Sequence, residues 1–144
     1  MRKILTTEGI NRDAGLLIVR VGVGIMFMTH GAPKLFGGPA YWEAIGNEGM
    51  GNLGIHFLPA FWGFMAGFAE FFGGLCMALG LFTVPFALLL IINMLVATNS
   101  HFAKGEGLAI ASHAIEAGFL FLGFVFMGPG KYSLDQMFFN RINK

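Results

Sequence analysis

The stretch LPAFWGFMAGFAEFFGGLCMALGLF, residues 58–82, decides the fold. It is apolar or small throughout except for one carboxylate, Glu70, near its middle. An apolar run of about 18 residues or more reaches across the hydrocarbon core of a bilayer when it is helical. At helical spacing the neighbours of Glu70 are Gly63, Ala66, Gly67, Gly73 and Gly74. Small residues let helix backbones approach closely, so this face is predicted to pack against other helices. Glu70 is therefore expected to point into a helical bundle, where a carboxyl group needs a partner or a proton.

Three more runs of the same kind flank it, at about 15–36, 85–102 and 109–127. Gly37-Gly38-Pro39 stops the first, Thr83-Val84-Pro85 is a short turn before the third, and Lys104-Gly105-Glu106-Gly107 separates the third from the fourth. Gly128-Pro129-Gly130 ends the fourth. Composition agrees: 56% of residues are hydrophobic and only 12% charged, against about 25% in soluble domains. A soluble domain of 144 residues could not hide that much apolar surface. A net charge of +1 offers no long-range field for a polyanion, so nucleic acid is not an expected partner. The expectation is an all-α integral membrane protein over residues 1–144, one domain holding a four-transmembrane-helix bundle. A signal-peptide reading of the first span is disfavoured by its length and by the lack of a small-residue cleavage site.

Basic residues predict the orientation. Arg2, Lys3, Arg12, Lys131, Arg141 and Lys144 flank the spans on one side, whereas only Lys34 and Lys104 do so on the other. The positive-inside rule then puts both termini in the cytoplasm. Residues 37–57 face outward and form neither a span nor a simple turn, with Tyr41 and Trp42 suited to the membrane interface. The tail from Ser133 is expected to be a short interfacial helix, with Leu134, Met137, Phe138 and Ile142 apolar and Ser133 as its N-cap.

The polar residues within the spans are the functional candidates, because ionisable groups in a bilayer are costly. They are Arg20, His30 and Lys34 in the first span, Glu70 in the second, Asn93 and His101 in the third, and His113 and Glu116 in the fourth. Asn99 of the third span is polar as well. If each faces inward, they converge on a polar pocket in the outer half of the bundle. Arg20, His30, Lys34 and His113 are then all possible partners of Glu70. Three interpretations remain open for such a cluster: a structural ion-pair network, a site for a ligand or for proton relay, and a metal site. His30, His101, His113 and Glu116 are competent metal ligands, but no H-x-x-x-H or E-x-x-H spacing supports them. Scattered Met residues fill apolar gaps more often than they bind copper, and Cys76, with no basic neighbour, is expected to be an inert thiol. His30 with Lys34 then Glu70, and His101 with Lys104 then Glu116, hint at two parallel hairpin repeats.

The order of several short motifs resembles the DoxX family of small four-span bacterial membrane proteins. Arg20 precedes His30-Gly31-Ala32-Pro33-Lys34-Leu35-Phe36, and Ala69-Glu70-Phe71-Phe72-Gly73-Gly74-Leu75 leads into Leu79-Gly80-Leu81-Phe82-Thr83. His101-Phe102 closes the third span, and Gly128-Pro129-Gly130-Lys131-Tyr132-Ser133-Leu134-Asp135 follows the fourth. The likeness covers roughly residues 12–136, while the Gly-rich stretch from Gly46 to His56 is longer than the usual family connection. The resemblance implies a location in the bacterial inner membrane and an association with redox complexes, thiosulfate:quinone oxidoreductase among them. It assigns no catalytic residue. The sequence leaves the cofactor unknown; under a redox function the pocket is expected to take a quinone or another small ligand, with His30 and His113 bonding quinone oxygens and Glu70 and Glu116 relaying protons. Partner subunits or further copies of the chain are the expected partners besides the bilayer. The alternatives are a non-enzymatic assembly factor with a structural polar core, and small-solute transport by an oligomer.

Overall fold

The computed structural model describes residues 11–142, with side chains through Phe138. Arg2, Lys3 and Lys144, which carry part of the charge asymmetry, lie outside them, as do the side chains of Arg141 and Ile142. Among the described residues six α-helices follow in order: α1 (Arg12–Phe36), α2 (Pro39–Gly49), α3 (Pro59–Leu79), α4 (Thr83–Ala103), α5 (Gly107–Met127) and α6 (Leu134–Ile142). No strand occurs among the described residues. Helices α1, α3, α4 and α5 are each long and apolar enough to cross a membrane. They bury large side chains inward and leave others bare, among them Phe126 at 82% and Ile18 at 71% exposure. Such a surface suits lipid rather than water.

The α1–α3 pair is the tightest joint, and glycine makes it so. A Cβ on Gly24 would lie 2.5 Å from the Gly74 carbonyl oxygen, and one on Gly31 would lie 2.3 Å from the Phe71 nitrogen. One on Gly67 would sit 2.7 Å from the Leu35 nitrogen. The two backbones thus run antiparallel in direct contact, as the small neighbours of Glu70 predict. On the other side of α3, the core is formed by Met77, Leu90, Met94, Phe121 and Phe124. Phe27 reaches from α1 to meet Phe121 edge-on, with ring centroids 4.8 Å apart.

The segment between the first two spans departs from expectation. Residues 37–57, expected as an outward-facing loop, contain the helix α2 and a 3-10 turn at Gly51–Leu53. Pro39 sits in the first turn of α2, where its missing N–H costs nothing. The Trp42 indole N–H donates to the Lys34 carbonyl at 2.8 Å, tying α2 back to the end of α1. A Cβ on Gly63 would meet the Trp42 carbonyl at 1.8 Å, and one on Gly46 would meet Pro59 oxygen at 1.8 Å. Packing on α3, rather than local propensity, is what makes this segment helical.

At the end of the bundle where α1 begins and α5 stops, the residues after α5 are held by side chains from elsewhere. The Arg20 guanidinium, fully buried, donates to the carbonyls of Pro129 at 2.5 Å and Tyr132 at 2.7 Å. Asp13 accepts from the Lys131 N–H at 3.0 Å. Ser133 caps α6 as expected, its hydroxyl accepting from the Gln136 N–H at 3.2 Å. Asp135 does something the sequence did not announce. Its carboxylate accepts from the N–H groups of Phe82 at 2.7 Å and Thr83 at 2.9 Å, and so caps α4, which has no cap of its own.

Candidate functional site

Lys34 stands in the last turn of α1, Glu70 midway along α3 and Asn93 midway along α4. The α1–α3 contact brings the first two together, and the α3–α4 hairpin supplies the third. The Lys34 ammonium lies 2.6 Å from Glu70 Oε1, and Asn93 Nδ2 donates to the same oxygen at 2.9 Å. Glu70 is almost wholly buried, with 4% of its side chain exposed, whereas Lys34 keeps 32%. The second carboxylate oxygen, Oε2, is sealed from solvent and has no hydrogen-bond partner. One oxygen therefore takes both donors while the other goes without, although buried acceptors are rarely left that way.

These three residues share a pocket of about 440 Å³ between α2, α3 and α4. Its walls are largely apolar: Tyr41 and Ile45 from α2, Phe61 and Met65 from α3, Ile92 and Val96 from α4. Trp62, Ala66 and His101 also line it. That volume and balance, apolar walls with a few polar groups, is typical of small-molecule sites. Toward the end formed by α2 and the α4–α5 turn, two ion pairs tie its flanking elements. Lys104 Nζ lies 2.5 Å from Glu48, joining the end of α4 to α2. His101 Nδ1 pairs with Glu106 of the turn. The Glu48 carboxylate, chiefly by hydrogen bonding, holds the Lys104 ammonium above its ordinary pKa of 10.5.

Of the eight sequence candidates, Lys34, Glu70, Asn93 and His101 meet in this pocket. The other four do not. Arg20 faces the opposite end of α1 and serves the Pro129–Tyr132 backbone, so Glu70's cation is Lys34 and not Arg20. His30, His113 and Glu116 are exposed on the outside of the bundle. The expected convergence of all four spans therefore fails, because α5 packs with its small and aromatic residues Ala111, Ala114, Phe121 and Phe124 inward. Nor does the set His30, His101, His113 and Glu116 come together. No group of three His, Cys, Asp or Glu residues placed to hold a metal occurs among the described residues. The α2 wall, with Tyr41 and Ile45, was missed by sequence reasoning. Its signals were the Tyr41–Trp42 pair and Pro39 at a helix start, neither of which points to a pocket.

The DoxX family model matches residues 15–103, more than half of the chain. The chain belongs to the DoxX family. The matched region spans α1 to α4, and so includes every residue of the Lys34–Glu70–Asn93 cluster and the pocket walls. Among curated proteins, the chain is 35% identical over 130 residues to "Inner membrane protein YqjF" of Escherichia coli (strain K12), covering 87% of this chain and 92% of that protein. It is 33% identical over 132 residues to an uncharacterized protein of Haemophilus influenzae, covering 88% of this chain and 92% of that one. No solved structure matches. In DoxX terms, the pocket lies within the part that the family model recognises, while α5 and the tail lie beyond it.

Proposed function

We propose that this DoxX-family protein binds a small lipophilic ligand with a hydrogen-bonding head, of the quinone or quinol class, in the α2–α3–α4 pocket. We propose further that it does so as a redox-associated subunit of the bacterial inner membrane. One observation carries this: the orphaned Glu70 Oε2 beside an apolar pocket whose base also holds the donors of Lys34 and Asn93. A quinol hydroxyl at the base would donate to Glu70 after a small rotation of the carboxylate. A quinone carbonyl there would accept from the Lys34 ammonium. A carboxylate paired with a lysine can also pass on the proton that separates the two forms. The aromatic and aliphatic walls suit a ring and the start of an isoprenoid chain. The charge asymmetry of the flanks supports cytoplasmic termini, and the pocket then opens toward the outer leaflet. The relative's printed name, an inner membrane protein, agrees with the membrane assigned.

The test uses the two tryptophans, of which Trp62 lines the pocket. In lipid nanodiscs, a short-chain ubiquinone should quench tryptophan fluorescence saturably. Glu70→Gln or Lys34→Met should weaken that binding by roughly tenfold, the worth of one charge-assisted hydrogen bond. Quenching that rises linearly without saturation, equal in all three proteins, would defeat the proposal.

A second function, a non-enzymatic assembly or interaction factor, is favoured by a different observation. Lys34, Glu70 and Asn93 join three helices through one oxygen, as a purely structural clamp would. In that case Glu70→Gln lowers thermal stability while leaving cellular function and quinone affinity unchanged.

A further inference from the structure

Glu116 is the tenth of the 21 residues of α5, so it stands near the middle of its span. It is nonetheless exposed, and so is His113 one turn away on the same helix. Among the described residues neither has a hydrogen-bond or ion-pair partner. Carboxylates and imidazoles at such depth almost always face protein or a water-filled cavity, because lipid offers them nothing. Around α5 the inward arc is taken by Ala111, Ala114, Phe121 and Phe124. Beside that arc a second stripe carries Ala109, His113, Glu116, Leu120, Gly123 and Met127, at alternating intervals of four and three residues, with Leu120 half-buried against the chain's own core and His113, Glu116 and Met127 exposed. That spacing is the a/d seam along which two helices in the same direction pack. Gly123 leaves room for close approach, since the only atom a Cβ there would meet is the end of its own helix's Met127. His30 of α1, exposed and edge-on to Phe27, supplies a third polar group on the α1 side, where Phe27 meets Phe121 of α5.

We propose that a second copy of this chain covers this face, α5 against α5, about a two-fold axis along the membrane normal. Two copies inserted with the same orientation meet at equal depth, so a two-fold interface puts the same seam on both sides. His113 and Glu116 make that seam self-complementary. The carboxylate of each copy lies within one helical turn of the imidazole of the other, and each polar group finds in its twin what lipid denies it. The occupant is a second copy rather than an unrelated helix because one stripe carries both the donor and the acceptor. This interface is separate from the pocket between α2, α3 and α4, and its test involves no ligand.

The test is made in membranes. In a Cys76→Ser background, Ala109→Cys and Gly123→Cys on the seam should each oxidise to a product of twice the 15.6 kDa chain. Leu95→Cys, on the bare outer face of α4, should not. His113→Glu, which makes the seam wholly acidic, should lower the dimer yield by roughly tenfold or more, and the exchange His113→Glu with Glu116→His should restore it. As a measurement free of substitutions, unaltered protein bearing a dye on an appended tag should photobleach in two steps in dilute liposomes. Single-step bleaching throughout, crosslinking as strong from Leu95→Cys as from the seam, or crosslinks only to a different membrane protein would each overturn the proposal.

Discussion

At Glu70 one oxygen carries two hydrogen bonds and the other none, and that imbalance sets the cost of every change nearby. Lys34→Met would leave a buried carboxylate with only an amide for company, at a cost of about 2–4 kcal/mol, less than a fully buried pair because Lys34 is one-third exposed. Glu70→Gln removes the charge along with its need, and its amide oxygen can still accept from Asn93, so about 1–2 kcal/mol is expected. Thermal unfolding in mild detergent checks the order: Lys34→Met must be the more damaging of the two. Gly31→Ala should cost at least about 1–3 kcal/mol by the same measurement, because its methyl would meet the Phe71 backbone rather than a movable side chain. Glu70's burial was legible because five small residues at helical spacing mark a contact face. The choice of Lys34 over Arg20 was not, since both share one face of α1 and only the α1–α3 register separates them.

Among the elements, the four spans were legible because length and apolarity alone mark them, and their bounds shifted by only a few residues. Helix α2 was not, because Gly38, Gly46 and Gly49 read as loop until α3 is there to pack against. For α5 the fault lay in a premise. Its two faces are both apolar, so periodicity has little contrast, and the supposition that every polar residue turns inward put His113 and Glu116 on the wrong side. The cap on α4 was hidden for another reason: Asp135 comes from about fifty residues away in sequence. Asp135→Ala should cost about 1–2 kcal/mol, as losing other helix caps does. Amide exchange at Phe82 and Thr83 should quicken selectively. Unchanged exchange there would mean that the tail does not hold the start of α4.

On the scale of the whole molecule, the bundle keeps its polar chemistry at separate stations. Arg20 and Asp13 bind the tail at one end, where Asp135 of the tail caps α4; Lys34, Glu70 and Asn93 face the pocket, and Lys104 with Glu48 holds α2 against α4. The last pair bears on pH. Glu48 raises the Lys104 pKa above 10.5, so its stabilisation is fully present below that value and is lost as pH rises through the higher folded value. Trp62 emission should therefore stay constant with pH below 10.5 and change only as pH rises through the raised Lys104 value. Glu48→Gln should move the onset of that change to lower pH. A transition set by Lys104 but centred near neutrality would contradict the assignment.

Mass spectrometry of organic extracts from protein purified gently in native lipid decides whether the Glu70 pocket holds a lipophilic ligand. A quinone should be enriched with the wild-type chain well above its share of the surrounding bilayer. It should be lost from Ala66→Phe, which fills the pocket while the melting temperature stays near that of wild type. Equal quinone in both preparations, at no more than the bilayer's own proportion, would contradict such binding.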